Sequence, residues 1–223
     1  MAYPTIDRPY GLKPINLIGG QVYAGQTRQY VIASGTTPAI FYGDVVKIIA
    51  GGTVAKDVGE STATPCGVFM GCSYVNAQGQ VIFSQYFPSG TTAPTGTVIT
   101  AYVADDPDQL FKVVLVAGAT EDGNGLTPAF LGRTVIGGNA QLVQNTGSTF
   151  TGDSAIGVYT DGATVTPSLP IRIIDVVPDT ANSSGNFCEL IVKWNAPYFT
   201  LAEGTPNVIT FAGGHQYLNP LGV

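Results

Sequence analysis

Charge is scarce in this chain, with 11% of its 223 residues being Asp, Glu, Lys or Arg, against roughly a quarter in an average soluble domain. The nine basic residues are scattered, and fifteen acidic ones leave a formal charge of −6. Nucleic-acid affinity rests on clustered Lys and Arg that displace counterions from phosphates, so the composition argues against a nucleic-acid partner. Long hydrophobic runs are also missing. Stretches such as VVLVAGA (Val113–Ala119) fall far short of the roughly 20 residues that cross a bilayer as a helix, so no membrane partner is expected. The start, MAYPTIDRPYG, has neither the basic region nor the apolar stretch of a secretory leader, and synthesis in the cytoplasm is expected.

Histidine and cysteine, the usual carriers of catalysis and metal binding, are nearly absent. The single histidine, His215, lies in a Gly-rich tail, where an exposed or interfacial residue is expected. No GxSxG elbow and no phosphate-cradling loop ending in GK[ST] occurs, so no catalytic or cofactor-binding residue is assigned. Cys66, Cys72 and Cys188 are an odd number in a chain too long to need stapling. On one extended strand the first two would share a face about 20 Å apart, at about 3.3 Å per residue, and could not pair. Three buried free thiols are expected, and no zinc set can be assembled from them.

What the chain does have is Gly 29, Pro 15 and abundant Thr, Ser and Val. Gly and Pro break helices while β-branched side chains suit a pleat, so the fold class is all-β, an antiparallel β-sandwich or barrel-like domain. Residues 1–27 hold four glycines and three prolines with little periodicity and read as an extended N-terminal arm. A β-rich core is expected over 28–200 and an irregular tail over 201–223. Strand signals are RQYVIA (Arg28–Ala33), DVVKII (Asp44–Ile49), CGVFMGCSYV (Cys66–Val75) and QVIFSQYF (Gln80–Phe87), the last two flanking a hairpin turn, NAQG. Further ones are TVITAYV (Thr97–Val103), LFKVVLV (Leu110–Val116), PIRIIDVV (Pro170–Val177) and CELIVKWN (Cys188–Asn195). LTPAFLG is the one plausible short helix, and GGNAQLVQNTGSTFTG (Gly137–Gly152) is a candidate exposed loop.

Several strands are apolar on both faces. In FKVVLV, Phe111, Val113 and Leu115 face one way and Val114 and Val116 the other, so loops, the arm or a neighbouring subunit must cover the second face. Self-association as a homodimer or homotrimer is the expectation. Asp105, Asp106 and Asp108 fall where Thr97–Val103 must reverse into Leu110–Val116. Asx side chains and proline close turns locally, while DDPDQL lacks the order of a calcium loop, so a turn without metal is expected. The nearby EDGNG (Glu121–Gly125) reads as a second polar turn. Trp194 and the 11 tyrosines could form a sugar-stacking platform, though aromatic residues in β domains more often serve cores and interfaces.

In order, YGLKPINLIGG, FYGDVVKI, CGVFMGCSYV, AYVADDPDQLFKV, LPIRIIDVV and IVKWN resemble a family of tailed-bacteriophage virion proteins, over about residues 10–196. Members are usually encoded beside the major capsid protein and act, where known, as capsid decoration or cement proteins. The resemblance implies a non-enzymatic protein without cofactor, on the capsid exterior of the virion, made in the host cytoplasm, with the major capsid protein and itself as partners. The candidate capsid or subunit contacts are Tyr10, Leu12, Lys13, Pro14, Ile15, Leu17, Ile18 and Tyr23. The arm is expected to clamp a neighbour, so that deleting residues 1–23 would leave the core folded. The rival readings are a receptor- or glycan-binding head appendage and a β-fold glycosidase or depolymerase, the latter needing two carboxylates at catalytic separation.

Overall fold

A computed structural model describes residues 6–118, 127–161, 165–181, 187–196, 198–201, 209–212 and 214–219. The EDGNG turn and parts of the expected arm and tail lie outside them. The fold is all-β, as the composition requires. After β1 (Lys13–Leu17) come β2 (Arg28–Ile32), β3 (Val45–Ile49), β4 (Thr53–Lys56), β5 (Gly67–Val75), β6 (Val81–Ser84) and β7 (Ile99–Ala104). Then follow β8 (Gln109–Leu115), β9 (Asn139–Val143), β10 (Gly157–Tyr159), β11 (Ile171–Val176) and β12 (Cys188–Trp194), with a hairpin of β13 (Tyr198–Leu201) and β14 (Ile209–Ala212). Among the described residues no helix is long and apolar enough to cross a membrane.

The strands divide into two closed, barrel-like sheets, where one core over 28–200 was expected. The first runs β3-β4-β2-β7-β5 and closes through β3–β5, with β6 added on β5. The second runs β8-β10-β9-β11-β12 and closes through β8–β12, with β1 added on β8. Closure of the first depends on a bend in β5. Its register against β7 shifts between Phe69 and Gly71, and Gly71 sits at φ 135°, a conformation closed to most side chains. The first half of β5 therefore pairs with β3 and the second half with β6.

Each barrel has its own apolar filling. Ile32, Val46, Val54, Phe69, Ile99 and Val103 fill the first. Phe111, Val113, Leu115, Leu142, Ile173 and Trp194 fill the second, where the Phe111 and Trp194 rings lie 4.9 Å apart. The three cysteines are buried and free. The NAQG hairpin forms as read, β5 against β6, and β11 pairs antiparallel with β12.

Several expectations need correction. The acidic turn does not reverse one strand onto its neighbour: β7 belongs to the first barrel and β8 to the second, so residues 105–108 cross between them. The candidate loop 137–152 contains β9, whose Ala140, Leu142 and Val143 are buried; its polar Asn139 donates to the Thr166 carbonyl. The short helix is a 3-10 turn over Gly132–Val135, just past LTPAFL.

The largest correction concerns the arm. β1 pairs with β8, and Leu12 is wholly buried in the second core. Val114 and Val116 on the outer face of β8 are covered by Ile6, Tyr10 and Phe187 of the same chain. The second face of the two-faced strand is thus covered from within, and the case for a neighbouring subunit there falls away. Gly11 makes this docking possible. It has φ 79°, and a Cβ on it would lie 2.6 Å from the Gly43 carbonyl oxygen.

Deleting residues 1–23 should consequently destabilise the fold, by at least ~3 kcal/mol, since removing one large buried aliphatic side chain alone costs about 2–5 kcal/mol. Urea unfolding followed by circular dichroism measures this, and an unchanged midpoint would contradict the intramolecular docking. Gly11→Ala should destabilise in the same direction, through both the clash and the positive φ.

Candidate functional site

Polar side chains gather where the two barrels meet, and three segments distant in sequence supply them. The first is the turn after β7. Its Pro107 sits at a turn position that fixed φ favours, and the Asp106 side chain accepts from the Asp108 amide at 2.8 Å, closing the loop locally. This leaves Asp105 pointing at β2, where its carboxylate meets Arg28 Nε at 2.9 Å and accepts from the Tyr30 hydroxyl at 2.6 Å. Asp108 faces the other barrel, 3.5 Å from Lys193 Nζ. The three carboxylates therefore diverge to separate partners, the arrangement of a turn and not of a coordination sphere.

The second segment is the chain after β1. Ile15 and Leu17 turn back through Leu17 N–H to Gln21 O at 2.9 Å and Tyr23 N–H to Ile15 O at 3.3 Å. Leu17, Val22, Tyr23, Arg28, Asp106 and Tyr217 line a groove of about 260 Å³ beside the acidic turn. Two sets singled out in the sequence, the arm and the aspartates, are brought together here.

The third segment, residues 214–219, is the one that sequence reasoning missed. Its Gln216 side chain accepts from the Ile48 amide at 2.7 Å and donates to the Ile48 carbonyl at 3.0 Å. Pairing of β3 with β5 stops at Val46, so Gln216 caps the backbone edge left open. The Tyr217 hydroxyl meets that of Tyr30, and Arg28 lies 5.4 Å from the Tyr217 ring centroid. His215 is wholly buried against Trp194, with ring centroids 6.2 Å apart, and its Nδ1 accepts from the Tyr217 amide at 3.2 Å. Of the expected exposed or interfacial residue, the exposed alternative is overturned, since His215 has no exposed surface. A Gly-rich surrounding signals a turn, but gives no hint that the turn docks between two barrels.

The remaining candidate contacts divide. Leu12 has no exposed surface and cannot meet a partner. Tyr10 donates to the Glu189 carboxylate and carries Lys13 Nζ 4.3 Å from its ring centroid. Burial and that carboxylate raise the phenol well above its ordinary range. Lys13, Pro14, Ile15, Leu17 and Tyr23 are half-buried, and only Ile18 of the eight is exposed.

The chemistry of this junction is that of a clamp. Cys66 is sealed beside it, and burial raises its thiol above the ordinary value, away from the thiolate a nucleophile needs. His215 offers no lone pair to solvent. The Asp105 carboxylate is engaged with Arg28 and with the Tyr30 hydroxyl. Comparison with protein-family models, with curated proteins and with solved structures finds no match.

Burial pushes His215 down from 6.5 to about 4, although the Cys66 backbone and the Asp105 and Asp106 carboxylates draw it partway back. The unfolded imidazole takes its proton near 6.5 and the folded one only near 4, so stability is complete above pH 6.5 and declines as pH falls towards 4. Between pH 7 and pH 5 the loss should be about 2 kcal/mol, at about 1.4 kcal/mol per pH unit. Urea unfolding at the two pH values measures it, and His215→Gln should remove most of the difference. An equal slope in that variant would show that other groups set it. Because the aspartates of the turn are committed elsewhere, a chelator should leave the melting temperature unchanged; a fall of several degrees would show a bound cation.

Proposed function

We propose that this chain is a non-enzymatic capsid decoration, or cement, protein of a tailed bacteriophage, which binds the outer surface of the major capsid protein lattice and stabilises the head. What carries the proposal is that several of the motifs behind the resemblance, scattered through the sequence, lie at contacts that tie the N-terminal segment to the barrels, link the two barrels or close one of them. YGL and FYGD touch directly, since the Leu12 amide donates to the Gly43 carbonyl at 3.0 Å. AYVADDPDQLFKV is the crossing from one barrel to the other. IVKWN supplies Trp194, against which His215 packs, and CGVFMGC supplies the bend that closes the first barrel. Residues spent on closing one barrel and on joining it to the other fit a protein whose task is to stay rigid under load.

The chemistry of the junction supports the non-enzymatic side of the proposal, because its cysteine and histidine are sealed and its best-placed carboxylate is ion-paired. The charge of −6 suits a protein that must ignore the phosphate-rich contents of the cell while finding a protein surface.

The test uses heads assembled from the major capsid protein of the phage that the proposal implies for this chain. The purified full-length protein should co-sediment with them to saturation, at a fixed ratio to the capsid subunits, and raise the temperature at which packaged heads release DNA. Failure to bind such heads at micromolar concentration would overturn the proposal. Saturable binding to a glycan array instead would favour an appendage that recognises host surfaces.

A further inference from the structure

We infer that the outer edge of β6 is a homodimerisation site, at which two copies of this chain pair their β6 strands antiparallel across a two-fold axis. Closure of the barrels leaves few open strand edges, and the protein treats them differently. β1 carries Pro14 and is covered by its own continuation, with Asn16 bridged to Val22. The open end of β3 is capped by Gln216. β6 pairs with β5 on one side only. Among the described residues, no hydrogen bond reaches the other side of Val81–Ser84.

Exposed edges are usually blunted by charge, proline or a covering segment, because an unpaired row of N–H and C=O groups recruits other strands. None of these devices occurs on β6. Its sequence is VIFS, and Val81 and Phe83 are 61% and 75% exposed. From Ser61 to Ala104 the chain contains no Asp, Glu, Lys or Arg at all, although charged residues occur on both sides of that stretch.

That neutrality selects the occupant. Two copies of a chain with a net charge of −6 repel one another over most of their surfaces, and the face built from this stretch opposes few like charges; Asp153, whose carboxylate accepts from the Gln85 amide at 2.9 Å, stands at its border. Self-pairing also needs one surface to carry both a projection and a recess. Phe83 projects at the rim of an open hollow of about 440 Å³ lined by Tyr42, Met70, Gly71 and Tyr102. In an antiparallel pair the two Phe83 rings lie close to the axis, each beside the hollow of the other copy. Backbone hydrogen bonds fix the register and the apolar side chains supply the affinity.

Sedimentation equilibrium of the purified full-length chain tests this, over about 1 to 100 μM, the range in which a modest interface populates both states. A monomer–dimer equilibrium is expected. Phe83→Lys and Val81→Lys, each at an exposed position, should weaken it by at least about tenfold, since each puts a charge into the apolar face that pairing covers, and two lysines at position 83 also oppose one another near the axis. Their melting transitions, recorded at concentrations where the parent is monomeric, should match that of the parent. Val165→Lys, at a residue that is 88% exposed in the loop before β11 of the second barrel, should leave the dimer unaffected. A parent that stays monomeric throughout, or a dimer indifferent to both β6 substitutions, would overturn the inference. A strictly monomeric chain whose binding to heads is lost on Phe83→Lys would also overturn it, and would assign the edge to a capsid strand. The measurement needs no particles, so its failure and the failure of the capsid proposal are separable.

Discussion

The carboxylate of Asp44 is the point on which the two barrels depend. It is wholly buried, and it accepts from the Phe41 amide at 2.9 Å and the Ser154 hydroxyl at 2.6 Å while meeting Lys56 Nζ at 3.0 Å. A buried charge is costly unless every lone pair is engaged. Here the partners come from the chain entering β3, from the end of β4, and from the segment leading to β10 in the other barrel. Backbone bonds reinforce the knot: Ser154 donates to Tyr42, Tyr42 to Gly152, and Gly11 to Ile156. One ionised group thereby fixes the N-terminal segment and both barrels in a single arrangement. An apolar residue there would leave Lys56 buried and unpaired, which makes the knot specific as well as stabilising.

Sequence patterning made the strands legible and left their partners hidden. Alternation and the NAQG turn were enough to read β5 and β6 as a hairpin, because both signals are local. The doubly apolar β8 was also legible, and so was its need for a second cover. What covers Val114 and Val116 is Ile6, Tyr10 and Phe187, and apolar residues in an arm announce burial without saying in which surface. The same limit applies to the acidic turn. Asp-Pro-Asp closes a reversal with the same local hydrogen bonds whether the next strand pairs with the last one or enters a different barrel, so the crossing was invisible. β9 was misread as a loop because Asn139 and Asn145 flank a short apolar run; the structure buries both, donating to the carbonyls of Thr166 and Ala155.

The candidate site was legible in part for the same reason. Residues of the arm and the aspartates stood out by composition, and they do line one groove with Arg28. Gln216 did not stand out at all. A glutamine side chain can mimic a peptide group, offering one donor and one acceptor to a strand edge. That role depends wholly on where Ile48 lies in space.

Local capping of this kind gives meaning to the edge that lacks it. Short closed barrels leave only fragments of open backbone, and this chain spends a proline and a turn on protecting the edge of β1 and a glutamine on that of β3. Leaving β6 bare is then a difference within one molecule, where the same aqueous surroundings act on every edge. Val81 and Phe83 lose favourable burial by remaining in water, about 1.5–3 kcal/mol for a side chain of that size when fully covered. The neutral stretch around them removes the usual electrostatic defence against pairing. Exposure that is costly in the free chain, and undefended, is the ground on which pairing of two copies at β6 is proposed.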